Sequence, residues 1–280
     1  MFRTFRVLAL LAPVLAAQTA PSSLTLDQKE EFLRTAALQH HEGAKKGVTS
    51  TVKATLSDGT VTHAASIQCI EEEKPRFETS HGIELNFRDS YKFNIAAYRL
   101  ARLLGLESMV PPSIDRVYSG HKGAWTWWIE NVQMDERERV GKHIDAPDKD
   151  LWARQYQIMK VFDQLIANTD RNQTNILYDK DWKLWMIDHS RAFRVSKQIL
   201  DTKSLERCDR ELLERMKKLN EPQLKAELGH WLAPAEIRGL IARRDMIVKH
   251  FEQGDPSAFY DYLAKSDAPV AKAQTQTAAP

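Results

Sequence analysis

Asn168-Thr169-Asp170-Arg171-Asn172-Gln173-Thr174-Asn175 runs into Ile176-Leu177-Tyr178, and Lys183-Leu184-Trp185-Met186-Ile187-Asp188 follows after the turn residues Asp179-Lys180-Asp181. The first stretch puts a carboxylate and an amide five positions apart in polar, loop-forming sequence. The second reads as the return strand of a short hairpin, which brings another carboxylate, Asp188, back beside them. Phosphoryl transfer to an alcohol asks for this set. One carboxylate accepts or orients the hydroxyl proton, and an amide and a second carboxylate hold the Mg²⁺ (or Mn²⁺) that bridges the nucleotide phosphates. Asp170 takes the first role, Asn175 and Asp188 the second. Asx residues also cap turns, and a single D-x-x-x-x-N carries little weight; the spacing combined with the returning Asp favours chemistry. Asn172-Gln173-Thr174 is a formal glycosylation sequon that we read as coincidental.

Upstream of the loop, Trp152, Tyr156, Met159, Phe162 and Ile166 recur at helical spacing, so a long helix delivers the chain to Asn168. Downstream, three further helices are expected at about 204–220, 221–232 and 234–252, with Pro222 and Pro234 at starts, where a missing N–H costs least. The N-terminal half reads differently. Val48–Leu56 and Val61–Ile70 suit strands joined by the turn Ser57-Asp58-Gly59-Thr60. Residues 71–88 look polar and irregular. Phe93, Ala96, Ala97, Leu100 and Leu104 mark a helix over about 90–104 that stops at Gly105. After Val110-Pro111-Pro112, two more strands are expected at Ile114–Val117 and Ala124–Asn131. The expected fold class is α+β: a small mixed N-terminal lobe with a sheet and one long helix (residues 18–132), then a mostly helical lobe carrying the loop (133–265), with a cleft between them.

These stretches resemble the atypical kinase superfamily, which includes phosphatidylinositol 3/4-kinases, especially the type II 4-kinases, secretory-pathway kinases and HipA-like kinases. N-T-D-R-N-Q-T-N-I-L and M-I-D-H-S-R-A-F match the N-x-D-R-x-x-x-N and I-D-N/F-G forms of those families. Asn94-Ile95-Ala96-Ala97-Tyr98-Arg99-Leu100, Leu103-Leu104-Gly105 and Val110-Pro111-Pro112 resemble their helix and the run after it. Trp127-Trp128-Ile129-Glu130-Asn131 resembles the strand entering the adenine-binding hinge. The likeness covers about residues 43–195. It implies a nucleotide, ATP, with Mg²⁺ or Mn²⁺. Backbone near Glu130 to Val132 would face adenine, and Gly43–Ser50 would be the loop over the phosphates. Gly47, Thr49, Gln68, Glu130, Val132 and Arg171 would form the nucleotide-binding set.

The chain departs from that pattern in two places. The strand Ala64–Ile70 has no lysine to pair with phosphates; Gln68 stands there, and Lys74 lies just beyond. The helix position expected to be Glu is Asn94. The joint loss is consistent, because a lone Glu would be unpaired. His189-Ser190 follows Asp188 where Phe/Asn-Gly is usual. His189 reads as a structural histidine in preference to a proton carrier. Arg191 and Arg194 either supply positive charge to a phosphate or pair with acidic surface residues.

Other conspicuous residues are given quieter roles. His40-His41-Glu42 lacks the spacing of a helical zinc site and reads as a solvated helix end. Trp125, Trp127 and Trp128 are expected to pack between the lobes, with part of the group available to a base. The run Asp135–Arg139 reads as a solvated face and Arg243-Arg244-Asp245 as surface pairs.

Bulk properties set the remaining bounds. Of the 280 residues, 42% are hydrophobic and 28% charged, which suits a sizeable core and excludes global disorder. Arg3 and Arg6 precede the apolar run Val7–Ala17, the layout of a secretory signal peptide over residues 1–17, so an exported protein, periplasmic or secreted, is expected. Losing those two arginines takes the formal charge from +2 to zero, which leaves no electrostatic case for nucleic acid. No later segment is apolar for long enough to span a membrane. Cys69 and Cys208 fit no metal or redox spacing and are expected to be free, buried thiols. Residues 266–280 read as a disordered tail. The acceptor of a transferred group, whether protein, lipid or small molecule, is left open. So are two other readings of the same ligands: a nucleotide-binding module without turnover (a pseudokinase), favoured by the missing Lys and Glu, and an AMP transferase.

Overall fold

The computed structural model describes residues 21–43, 51–79 and 82–263. The expected signal peptide, the tail, and Gly47 and Thr49 of the expected phosphate loop lie outside the described residues.

The chain enters on α1 (Leu26–Thr35), whose start is a reciprocal cap: Thr25 and Gln28 each bond the other's backbone N–H. A five-stranded antiparallel sheet follows, built from β1 (Ala37–Gly43), β2 (Val52–Ser57), β3 (Thr62–Gln68), β6 (Ser113–Tyr118) and β7 (His121–Trp127), in the order β1-β2-β3-β7-β6. The β2–β3 turn forms as expected, with Asp58 Oδ1 accepting from the Thr60 and Val61 amides and Gly59 at φ +92°. His40, His41 and Glu42 lie on β1, paired to β2, and not at a helix end. Strand alternation decides what the sheet buries. Ala65 and Ile67 enter a core with Phe32, Leu33, Leu56, Ile114, Trp125 and Trp127, while Ser66 and Gln68 point to the other face. Trp125 and Trp127 therefore pack between the sheet and α1, and do not fill the inter-lobe core expected for them.

Residues 71–88 are not irregular. They form a two-stranded ribbon, β4 (Glu71–Thr79) and β5 (Gly82–Ser90). Glu, Lys and Pro are poor strand formers, which hides this ribbon from propensity. Cross-strand charge pairing favours it, as with Glu73 opposite Arg88. The ribbon also reaches the other half of the molecule: Ser90 N–H donates to Ser190 O at 2.8 Å, Arg194 donates to Asn86 O at 2.9 Å, and Arg88 pairs with Glu236.

α2 (Tyr91–Leu104) starts on Ser90, whose hydroxyl accepts from Lys92 N–H, and ends at Gly105 in the left-handed region (φ +70°). Its apolar residues serve both halves, Tyr91 and Ile95 packing with Ala124 of β7. Phe93, Tyr98, Leu100 and Leu104 share one core with Phe162, Leu165 and Leu240 of the helical half. A short three-stranded sheet, β8 (Val132–Asp135), β9 (Ile176–Asp179) and β10 (Leu184–Met186), in the order β10-β9-β8, joins the halves.

The helical half contains α3 (Glu136–Gly141), α4 (Lys149–Ile166), α5 (Arg210–Lys218), α6 (Glu221–Leu228) and α7 (Pro234–Glu252), with a parallel pair, β11 (Cys208–Asp209) and β12 (Phe259–Tyr260), closing the end. Two charged runs differ from their expected surface roles. Glu136 is buried, where it receives Tyr178 Oη–H at 2.9 Å and Arg139 Nε–H at 2.6 Å. Arg243 is fully buried and bonds the carbonyls of Leu165, Arg194 and Ser196. Burial pushes its guanidinium down to about 10. Cys208 is buried and Cys69 half-buried, both as free thiols. No helix among the described residues is long and apolar enough to cross a membrane.

Candidate active site

A cavity of about 470 Å³ lies between the five-stranded sheet and the helical half. Gln68, Asn94, Trp128, Val132, Asn175 and Asp188 are among its walls, so residues from both halves of the sequence converge there.

The loop after α4 is built from inside outward. α4 ends as Ala167 turns left-handed (φ +48°), releasing the chain sharply into Asn168. Asp163, on the last turn of α4, accepts from Asn168 Nδ2 at 3.0 Å and from Arg171 Nε and Nη2 at 2.9 and 3.0 Å. The other terminal nitrogen of Arg171, Nη1, bonds the carbonyls of Asn175 (2.9 Å) and Ile187 (2.6 Å). Four of the five guanidinium N–H groups are thus engaged behind the loop. Arg171 does not line the cavity. The nucleotide-binding part expected of it is replaced by a scaffold role: it ties the loop to the end of β10. Ile187 N–H donates to Asn175 O at 3.1 Å and completes that tie. The deciding partner, Asp163, has the look of an ordinary helix residue in the sequence; its position on the helical turn before Asn168 is the available signal.

Asn175 and Asp188 come together on this scaffold. Asn175 donates Nδ2–H to Asp170 O at 3.2 Å, which turns its Oδ1 away from that carbonyl. Asp188 sits at φ +52°, a conformation that Asp tolerates better than most side chains. The glycine missing after Asp188 is therefore not needed, because Asp188 makes the turn itself. One amide oxygen and one carboxylate suit a hard cation that arrives with phosphate oxygens as its remaining ligands. The described residues contain no cluster of three or more His, Cys, Asp or Glu that would hold a resident metal on its own. Asp170 is half-buried, five residues ahead of Asn175, outside the cavity lining. Its amide is fixed by Asn168 Oδ1 at 3.1 Å.

Across the cavity's other walls, Val132 lines the space together with Trp128 and Ile129, while Glu130 does not. The Glu130 carboxylate instead lies 3.2 Å from His63 Nδ1, and His63 Nε2 bonds the Trp128 carbonyl at 3.0 Å. His63 stacks on Trp127 with ring centroids 3.7 Å apart, and burial lowers its pKa. Gln68 lines the cavity; Gly123 lets β7 pass close to the end of β3, since a Cβ there would lie 2.6 Å from Cys69 Sγ and 2.9 Å from the Gln68 backbone carbonyl.

The two departures noted in the sequence meet in space. Asn94 Nδ2 donates to Gln68 Oε1 at 2.5 Å, and Asn94 Oδ1 accepts from His189 N–H at 2.7 Å. An uncharged pair thus bridges β3 and α2 at the two positions where the sequence lacks the lysine and the glutamate. His189 is buried against Phe162 at 5.9 Å between ring centroids, and burial, with Arg171 nearby, holds its pKa well below the ordinary range. Arg191 and Arg194 both pair with Glu84 of β5, so the ion-pair reading of these arginines holds. Lys74 pairs with Glu72 and does not line the cavity.

No protein-family model matches the chain, and no curated protein does either. Among solved structures, it is similar to the crystal structure of a Helicobacter pylori proinflammatory kinase, CtkA, with a TM-score of 0.50 and 10% identity, over 79% of this chain and 96% of that one. Together with the sheet, the helical half and the cavity between them, this likeness gives the chain a kinase-like α+β fold.

Proposed function

We propose that the protein is a Mg²⁺/ATP-dependent phosphotransferase acting on an alcohol. The observation that supports this reading most is the convergence of Asn175 and Asp188 on the cavity that Gln68, Trp128 and Val132 also line. In this proposal the acceptor oxygen attacks the terminal phosphorus, the bond to ADP breaks, and Asp170 takes the hydroxyl proton. The cation supplies charge stabilisation for the transferring group. Asn175 Oδ1 and the Asp188 carboxylate hold it, while Arg171 keeps both at fixed separation through Asn175 O and Ile187 O. Adenine lies against the backbone of Trp128 to Val132. Export through the segment Arg3–Ala17 belongs to the same proposal, which makes the site a periplasmic or secreted one.

A second reading is supported by one specific feature, the uncharged Gln68–Asn94 pair. Without a lysine on the phosphates, the site suits nucleotide binding without turnover, or AMP transfer through the same two metal ligands.

Thermal unfolding with and without ATP and Mg²⁺ or Mn²⁺ tests the shared premise. Ligand at a hundredfold excess over its Kd adds about 2.7 kcal/mol to native stability, a visible rise in Tm. We expect a metal-dependent rise that Asp188→Ala abolishes. A radiolabelled γ-phosphate transferred to product supports the kinase, a labelled α-phosphate supports AMP transfer, and neither leaves the binding module. No shift at millimolar nucleotide refutes all three.

A further inference from the structure

We infer that Lys53, on the strand beside β3, is a ligand-binding residue: it supplies the positive charge that the first phosphate of a nucleotide meets in the cavity. This inference rests on the nucleotide-site reading above.

An anion entering the cavity meets walls of its own sign. Asp135, Glu138 and Asp188 line it, and no lysine or arginine among the described residues does. Nearby cations are committed: Arg171 to Asp163, Arg191 and Arg194 to Glu84, Lys74 to Glu72. Lys53 differs. Strand register puts it directly opposite Ser66 of β3, and residues paired across neighbouring strands project to the same face. Ser66 lines the cavity, so Lys53 leaves the sheet on the cavity side. Its Nζ lies 4.5 Å from the centre of the Trp128 ring, and Trp128 is itself a cavity wall. Among the described residues no carboxylate pairs with Lys53, although Glu42 stands opposite it on β1. A ring face holds an ammonium more weakly than a phosphate does, and the stem of a lysine is flexible. The cation is therefore held at the rim and free to turn inward.

Register also says which part of the ligand it meets. Ala64, Ser66 and Gln68 project to one face of β3. Trp128 N–H donates to Ala64 O at 3.1 Å, which places the base end beside Ala64. Gln68 is tied through Asn94 to the backbone after Asp188, which marks the opposite end. Lys53 stands across from the residue midway, roughly 7 Å of strand from either. Between the base and the terminal phosphates lie the ribose and the first phosphate, and of these the phosphate carries the charge. The terminal phosphates still meet no lysine, so the choice between transfer and binding alone is untouched.

Calorimetric titration with AMP and with adenosine, both without metal, tests the assignment. Lys53→Met keeps a stem over Trp128 and removes the charge. We expect it to lose about tenfold or more in AMP affinity, with adenosine within about twofold of the parent; Lys53→Arg should keep AMP within about threefold. Equal losses for AMP and adenosine would show that Lys53 only supports Trp128 and would overturn the inference. So would an unchanged AMP affinity in Lys53→Met, a Lys53→Arg loss as large as that of Lys53→Met, or a parent that binds adenosine but not AMP. If the parent binds neither, the nucleotide reading fails, and inorganic pyrophosphate becomes the probe of Lys53 alone. Binding about tenfold weaker in Lys53→Met then supports the cation; equal binding, or none, overturns it.

Discussion

In the cavity wall supplied by residues 168–188, a buried carboxylate and a guanidinium hold the loop, whereas in the wall supplied by β3 and α2 two neutral amides do the equivalent work. Asp163 and Arg171 expose about a tenth of their side chains, and they are satisfied by each other together with Asn168 and the carbonyls of Asn175 and Ile187. Gln68 and Asn94 bridge two elements through one side-chain hydrogen bond and one bond to backbone. The two solutions differ in what they demand. A buried ion pair is stable only while both members are present, because either alone is a charge without solvent. A pair of amides tolerates loss better but fixes direction, since donors and acceptors must alternate. The charged wall holds the proposed metal ligands in place; the neutral wall ties β3 through α2 to the backbone just after Asp188.

The largest expected effect tests the charged wall. Arg171→Met should destabilise the fold by about 3–5 kcal/mol, because it leaves the buried Asp163 side chain without its charge partner. Urea unfolding measures it, and a loss below about 1 kcal/mol would erase the contrast between the walls. Gln68→Met, by the same method, should cost less, about 1–3 kcal/mol, the range for losing a neutral side-chain bond and leaving Asn94 N–H without its β3 acceptor. A loss as large as that of Arg171→Met would mean the amide pair carries the lobe contact. The smallest effect concerns His63 on β3, which stacks on Trp127 and bonds the Trp128 carbonyl. Burial keeps the native His63 ring neutral to lower pH than its ordinary value of 6.5, with the Glu130 carboxylate opposing. The unfolded chain therefore takes up a proton first on acidification, so the stability His63 contributes is complete above pH about 7 and falls as pH drops below about 6.5. One proton sets the limit at about 1.4 kcal/mol per pH unit. His63→Phe should flatten the decline between pH about 7 and about 5.5 by up to that slope; an unchanged decline would assign it to other groups.

Local features are legible before any fold is known. The α4 stripe, the Asp58 turn, the Ser90 start and Gly105 stop of α2, and the hairpin returning Asp188 all depend on neighbours in sequence, where periodicity and capping chemistry act directly. The β4–β5 ribbon escapes such reading because its strands are charged and gain their place from contacts with residues far along the chain, such as Ser190 and Glu236. Arg243 misleads for a related reason. Its sequence neighbours are polar, yet it is inserted among the carbonyls at the end of α4 and of the segment after Asp188. Nothing in the order of residues distinguishes an arginine in solvent from one among carbonyls.

Covalent order and short-range propensity are enough to establish the Asp170, Asn175 and Asp188 spacing, the mixed first half and helical second half, and the absence of a lysine from β3. They do not reach as far as Arg171 facing inward to Asp163, Arg191 and Arg194 belonging to Glu84, or Gln68 meeting Asn94; those outcomes appear only once the elements are packed. In each case a polar group removed from water takes whichever complementary partner the packing of distant elements brings within bonding distance, and that partner is set by the path of the backbone through space.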